Sequence, residues 1–330
     1  MSELPHAGSV GPRVESRAGA WAAVAFSVVA SFALVRFVVR SDPGATQTFA
    51  LAFASIAIEA LPFVLLGAVI SAALARWVPR HAFAWVGRLP LPLQIPAASL
   101  AGVALPVCEC GSVPVARQLI ARGVHPAAGI SFMLAAPVVN PIVLGTTAIA
   151  YSGRGAAAMV AGRAALGLVT AMVVGLVARG ETAEVLRPRP VDEHDHRHDA
   201  HGLVDHVLAD FLFMGRFVVL GAALAALFQV LIPQHAFGSV GHADILATLA
   251  LMALAFALSL CSEADAFVAA SFTGFPVGAQ LAFLTFGPVA DFKLALLYRA
   301  TFRRATAAKI VGAAAAVVFS GALWFAIAMR

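Results

Sequence analysis

The chain has 330 residues, of which 61% are hydrophobic and 12% charged, with a mean hydropathy of +0.90; a soluble domain carries roughly 25% charged residues. This composition excludes a soluble enzyme or binding module and predicts an all-α polytopic integral membrane protein. The net charge of +5 lies in arginines at the ends of apolar runs, so the expected partner is the lipid bilayer rather than nucleic acid, and three cysteines without secreted-type spacing exclude a disulfide framework.

Apolar stretches run at 20–39, 48–76, 89–107, 112–121, 125–151, 155–178, 206–233, 244–261, 266–291 and 310–329. About 20 apolar residues are needed to cross a bilayer as a helix, so 48–76, 125–151, 206–233, 266–291 and 310–329 are predicted to cross. The first stretch follows Arg13 and Arg17 as a signal peptide would, but no small-residue cleavage site precedes Arg36 and Arg40, so an uncleaved first helix is expected. The chain divides into an N-terminal tail and first helix (1–45), a membrane region (46–179), a polar loop (180–205) and a second membrane region (206–330).

The two membrane regions resemble each other at a nearly fixed offset. Phe63-Val-Leu-Leu-Gly67-Ala matches Phe217-Val-Val-Leu-Gly221-Ala, Pro79 matches Pro233, Cys108 matches Cys261, and Ala136-Pro-Val-Val-Asn140-Pro matches Gly287-Pro-Val-Ala-Asp291-Phe. Internal repeats are a common build of secondary transporters, with the substrate site at the repeat interface. If every stretch crosses, basic residues divide almost evenly between the two sides. If 89–107 instead enters, turns at Cys108–Pro114 and leaves on the side it came from, fifteen basic residues fall on one side against three, the bias that cytoplasmic loops carry. That arrangement gives each repeat three crossings and one re-entrant hairpin, which inverts the second repeat and puts the loop at 180–205 in the cytoplasm.

Cys108-Glu109-Cys110-Gly111-Ser112-Val113-Pro114 is therefore the leading candidate site, echoed by Cys261-Ser262-Glu263-Ala264-Asp265. Gly111 and Pro114 are expected to break the helix, and irregular backbone at membrane depth survives only against protein or a wet cavity. Cys108, Cys110 and Cys261 are candidate ligands of a soft ion, while Glu109, Glu263 and Asp265 supply charge or hold protons. A buried cysteine is otherwise a small core hydrophobe. Asn140, between Pro137 and Pro141, and Asp291, three residues after Pro288, are read either as substrate contacts using loosened helix carbonyls or as caps of ordinary kinks, with Lys293 a partner for Asp291. Glu59, the one charge between Phe49 and Arg76, is a candidate proton-coupling group or the partner of an arginine such as Arg163 or Arg216.

Between the halves, His194, His196, His198, His201 and His206 alternate with acidic residues. Such a tract either holds zinc, copper or nickel loosely, as a landing place for a metal-delivery partner, or is a solvated linker. No HExxH, paired CxxC or GxxxxGK[ST] pattern occurs, so no tight zinc site, no resident cofactor and no ATP hydrolysis are expected.

Val107-Cys-Glu-Cys-Gly-Ser-Val-Pro-Val-Ala116, Leu134-Ala-Ala-Pro-Val-Val-Asn-Pro141, Leu260-Cys-Ser-Glu-Ala-Asp-Ala-Phe-Val268 and Phe286-Gly-Pro-Val-Ala-Asp-Phe-Lys293 resemble the YraQ/ArsP-like family of predicted bacterial permeases, over roughly 48–329. The resemblance implies export across the inner membrane, of trivalent organoarsenicals in one branch and of copper or zinc in another. The arsenical branch carries a cysteine-and-serine turn where this chain has Cys108-Glu109-Cys110-Gly111, and that difference, with the histidine tract, ranks copper and zinc first. The expected function is export of a thiophilic ion or metalloid without ATP hydrolysis, with room for a homo-oligomer. A membrane thiol oxidoreductase using Cys108 and Cys110, or a scaffold needing no cysteine, are the alternatives.

Overall fold

A computed structural model describes residues 29, 43–77, 89–105, 107–187, 200–231 and 244–329. Among them the first half comprises α1 (Pro43–Trp77), α2 (Leu91–Ala104), α3 (Glu109–Ala121), α4 (Pro126–Val139), α5 (Pro141–Ala150) and α6 (Ala156–Val177). The second comprises α7 (Ala200–Leu231), α8 (Asp244–Leu258), α9 (Asp265–Ser271), α10 (Val277–Phe286), α11 (Phe292–Thr301) and α12 (Arg304–Ala328). The expected first helix at 20–39 lies outside the described residues apart from Val29, as do His194, His196 and His198. His201 and His206 lie on α7, their side chains outside the described set. The helix begins at Ala200, inside the expected loop.

Prolines mark where several helices start. Pro126 and Pro141 open α4 and α5, where a missing N–H costs no intrahelical bond, and the residue before each supplies the cap. His125 Nδ1 accepts from the Ala127 amide at 3.2 Å, and Asn140 Oδ1 from the Ile142 amide at 2.9 Å.

Among the described residues, five segments are long and apolar enough to cross a membrane: Thr46–Leu74, Pro126–Ala150, Ala156–Gly180, Val207–Val230 and Arg304–Ala328. The expected crossing at 266–291 is not among them, because Thr273-Gly274-Phe275-Pro276 separates α9 from α10. The 14-residue α2 spans about 21 Å at 1.5 Å per residue, short of the roughly 30 Å hydrocarbon layer. In the span formed by α4 and α5, 83% of the most apolar window is buried, against 17% for α1; the first is walled by protein and the second is left for lipid.

Packing in one half is largely repeated in the other. α4 packs on α2, α3 and α6, as α10 packs on α8, α9 and α12. Between halves, α1 lies along α7 and α6 along α12, while α3 meets α11 and α9 meets α5. Exchanging the halves turns each of those last two contacts into the other. Some contacts depart from the pattern: α1 packs on α3, whereas α7 packs on α11, and α6 packs on α10 and α7 on α8 without contacts of similar extent after exchange of the halves. The Ser71 hydroxyl on α1 donates to the buried Asp210 on α7 at 3.0 Å. The chain after α6 is tied to the α11–α12 junction by an antiparallel bridge of Leu186 with Phe302.

Candidate functional site

Each cysteine segment is a helix break. α2 stops at Ala104, Leu105 is extended, and Cys108 caps α3 with its carbonyl accepting the Gly111 and Ser112 amides at 3.1 and 3.0 Å. Glu109 is the first helical residue, where the helix dipole favours an anion. Cys108, Glu109 and Cys110 are all buried.

The break lies upstream of where Gly111 and Pro114 placed it; both are inside α3. Gly111 serves close approach instead: a Cβ on Gly67 of α1 would stand 2.6 Å from the Gly111 Cα. Pro114 still removes the amide that would have served the Cys110 carbonyl. Pro137, inside α4, does the same to Met133, and there the freed carbonyl is not left for an ion: the Ser112 hydroxyl donates to it at 3.0 Å.

In the second half α8 ends at Leu258, and Ser259 takes a left-handed backbone (φ 48°), uncommon for a residue with a Cβ. The Cys261 carbonyl then accepts the Ala264 and Asp265 amides, both at 3.0 Å, and Asp265 opens α9. Both turns thus place a buried acid at a helix start.

The two turns meet. Ser262 Oγ donates to Glu109 Oε2 at 3.2 Å, and Lys293 Nζ of α11 pairs with Glu109 Oε1 at 2.8 Å. The ammonium also donates to the Ser259 carbonyl at 3.2 Å and lies 3.5 Å from Asp291 Oδ2. From the other direction, Arg163 of α6, with no exposed surface, pairs with Asp265 at 2.9 Å and donates to the Ser262 carbonyl at 3.2 Å and to Thr147 at 2.8 Å. Each half supplies the cation for an acid of the other. Removing one partner of such a buried pair costs about 3–5 kcal/mol, because it strands a charge.

Asp291 is also a cap, its Oδ1 accepting the Leu294 amide at 2.6 Å. With the cap formed by Asn140, the capping alternative describes the geometry of both residues. Glu59 and Glu263 converge on Cys261: their ligand atoms lie within 4.8 Å of one another, and the Cys261 thiol meets Glu263 Oε2 at 2.7 Å. Among the described residues this trio, rather than Cys108, Cys110 and Cys261 together, is the group close enough to share one ion.

Residues 46–327 match the family model described as "predicted permease", of ArsP type. The chain belongs to the ArsP-type predicted permease family. The permease is 35% identical over 282 residues to the UPF0718 protein YcgR of Bacillus subtilis, covering 82% of this chain and 94% of that one. It is 32% identical over 283 residues to a Streptococcus mutans protein named as a proposed subunit of a two-component membrane permease complex, covering 81% and 91%. No solved structure matches the chain.

Of the residues singled out from sequence, the permease gathers Cys108, Glu109, Cys110 and Cys261 around one apolar cluster, with Glu59 and Glu263 on Cys261 and Asp291 on Lys293. Asn140 stays at the α4–α5 break. Lys293 was legible only as a partner of Asp291, and its shorter pair is with Glu109. Ser259 carried no signal beyond an ordinary polar residue in an apolar run. Arg163 did carry one, since a cation far from either end of an apolar helix needs a buried acid.

Proposed function

We propose that this multi-pass permease exports a thiophilic substrate, copper or zinc ahead of a trivalent metalloid, through the junction of its halves in the bacterial plasma membrane. The observation that carries this reading is the Ser262–Glu109 contact, which joins the two cysteine turns inside one apolar cluster containing Cys108, Cys110 and Cys261. All three thiols are free, and sulfur ligands suit soft ions. Cys261 with Glu59 and Glu263 offers such an ion one sulfur and two carboxyl groups, and Cys108 and Cys110 offer two more sulfurs on the facing turn, few enough in each place for release. The repeated packing supports two matched halves that rock about this junction, and the bias of basic residues supports their inversion, with the histidine tract on the cytoplasmic side. Energy comes from an ion gradient or from a second chain, as the name of the Streptococcus relative suggests.

The test is metal content. A strain lacking the protein accumulates copper, zinc or a trivalent arsenical relative to wild type, and restoring the gene reverses it. Restoring it with Cys108→Ser and Cys110→Ser together does not. Unchanged content for all three substrates removes the proposal.

A further inference from the structure

Lys293 sits in a cage of oxygens contributed by three segments. Its ammonium meets Glu109 Oε1 of α3 at 2.8 Å, the Ser259 carbonyl at 3.2 Å and Asp291 Oδ2 at 3.5 Å. The side chain is 2% exposed, and Asp291 Oδ2 has no hydrogen-bond partner. The cage is made by backbone shape as much as by side chains. The left-handed Ser259 turns the chain at the end of α8, and its hydroxyl accepts the Phe292 amide at 3.2 Å, tying that corner to the start of α11. The base of the lysine is fixed from behind, because a Cβ on Gly221 of α7 would stand 2.4 Å from Lys293 Cβ.

Two full carboxylates face one ammonium here, at the meeting point of the cysteine turns. Oxygens so arranged suit a cation in general, and the lysine fills the place with a charge tethered to the protein. Arg163 differs: its pair with Asp265 is reinforced by Thr147 and the Ser262 carbonyl, and its planar, multiply bonded guanidinium is the form suited to a permanent tie. A lysine ammonium on a flexible stem is the form that can leave.

We propose that Lys293 is a tethered cation holding the place between Glu109, Asp291 and the Ser259 carbonyl, and that the substrate is itself a cation which must displace it. The inference rests on the permease reading above and narrows it, since a neutral metalloid would have no need to displace an ammonium. With the ammonium in place the two carboxyl groups are not left without a cation when substrate is absent, and ions too weakly bound to compete are refused.

The experiment uses the full chain in lipid nanodiscs and Cd2+ alone as the probe, its affinity read by competition with a colorimetric chelator. A ligand whose place is open only a tenth of the time binds about tenfold more weakly than it otherwise would. Lys293→Met is therefore expected to bind Cd2+ about tenfold more tightly than wild type, Lys293→Arg to stay near wild type, and Lys293→Met with Glu109→Gln to lose the gain. No gain in Lys293→Met, or a gain that survives Glu109→Gln, overturns the proposal. If Lys293→Met is recovered folded only when Cd2+ or ethylammonium is present, the tethered cation is supported; if neither recovers it, the proposal is overturned. A gain in Lys293→Met beside a wild type that exports no thiophilic ion sinks the substrate reading and leaves the tethered cation standing. Export by wild type with no such gain does the reverse.

Discussion

Glu109 and Ser262 stand at corresponding positions of the two halves, each directly after the matched cysteine, and they touch: the serine hydroxyl donates to the carboxylate at 3.2 Å. The contact brings the two cysteine turns against each other. Ser262→Ala removes one donor from a buried carboxylate, a loss of about 1–3 kcal/mol. The expected result is a lower melting temperature of the solubilised protein and impaired transport; unchanged values for both would mean that the contact is idle.

Arg163→Ala leaves Asp265 buried without its cation and should destabilise the protein by about 3–5 kcal/mol. Arg163→Met combined with Asp265→Leu removes both charges and should recover most of that stability, because a well-packed apolar pair of similar volume is often neutral. Thermal unfolding of the wild type, the single variant and the double variant measures this. A double variant as unstable as the single one would show that Arg163 acts through Thr147 and the Ser262 carbonyl instead.

Gly67→Ala drives a methyl into the Gly111 backbone, where neither helix has a flexible side chain to yield. Overpacking of this kind costs about 1–3 kcal/mol. It should also raise the reactivity of Cys108 and Cys110 toward a small maleimide by lifting α1 from the turn, while Gly145→Ala, with open space around it, leaves both properties unchanged.

Ser112→Ala takes away the donor that serves the Met133 carbonyl, with an expected cost of about 1–3 kcal/mol. Pro137→Ala returns an amide to that carbonyl, so the double variant should lose less than the sum of the singles. Strict additivity in thermal unfolding would disprove the substitution of one donor for the other.

If the Glu59, Cys261 and Glu263 trio holds the substrate at one stage of its passage, Glu59→Gln and Cys261→Ser should each slow export with little change in stability. Cellular copper or zinc content in the complemented deletion strain reads this directly. Wild-type content with both variants would confine the path to the Cys108 turn.

Composition alone made the helical membrane class legible, and the thiol segments stood out because sulfur and carboxylate are costly in hydrocarbon. The places where sequence misled are local. Gly111 and Pro114 look like breakers, yet Pro114 is tolerated inside α3 and Gly111 is there for a neighbouring backbone. The stretch 266–291 is apolar enough to cross, but Pro276 cannot continue the preceding helix and the chain turns. The pairing of Lys293 with Glu109, 184 residues apart, was beyond reach, since spacing along the chain put Asp291 closest. The capping of Asn140 and Asp291 was legible only as one of two readings, beside substrate contact, because proline and a short polar side chain are local signals that fit both.

The crossed pairs Lys293–Glu109 and Arg163–Asp265 also bear on how the protein is made. A ribosome delivers α1 to α6 before α7 to α12, and until α9 and α11 arrive, Arg163 and Glu109 lack the partners they hold in the finished fold. Neither set is self-sufficient, so the nascent amino-terminal piece must wait for its sibling or be held by insertion machinery. Fragments divided within 188–199 should each be degraded when made separately and persist when co-expressed.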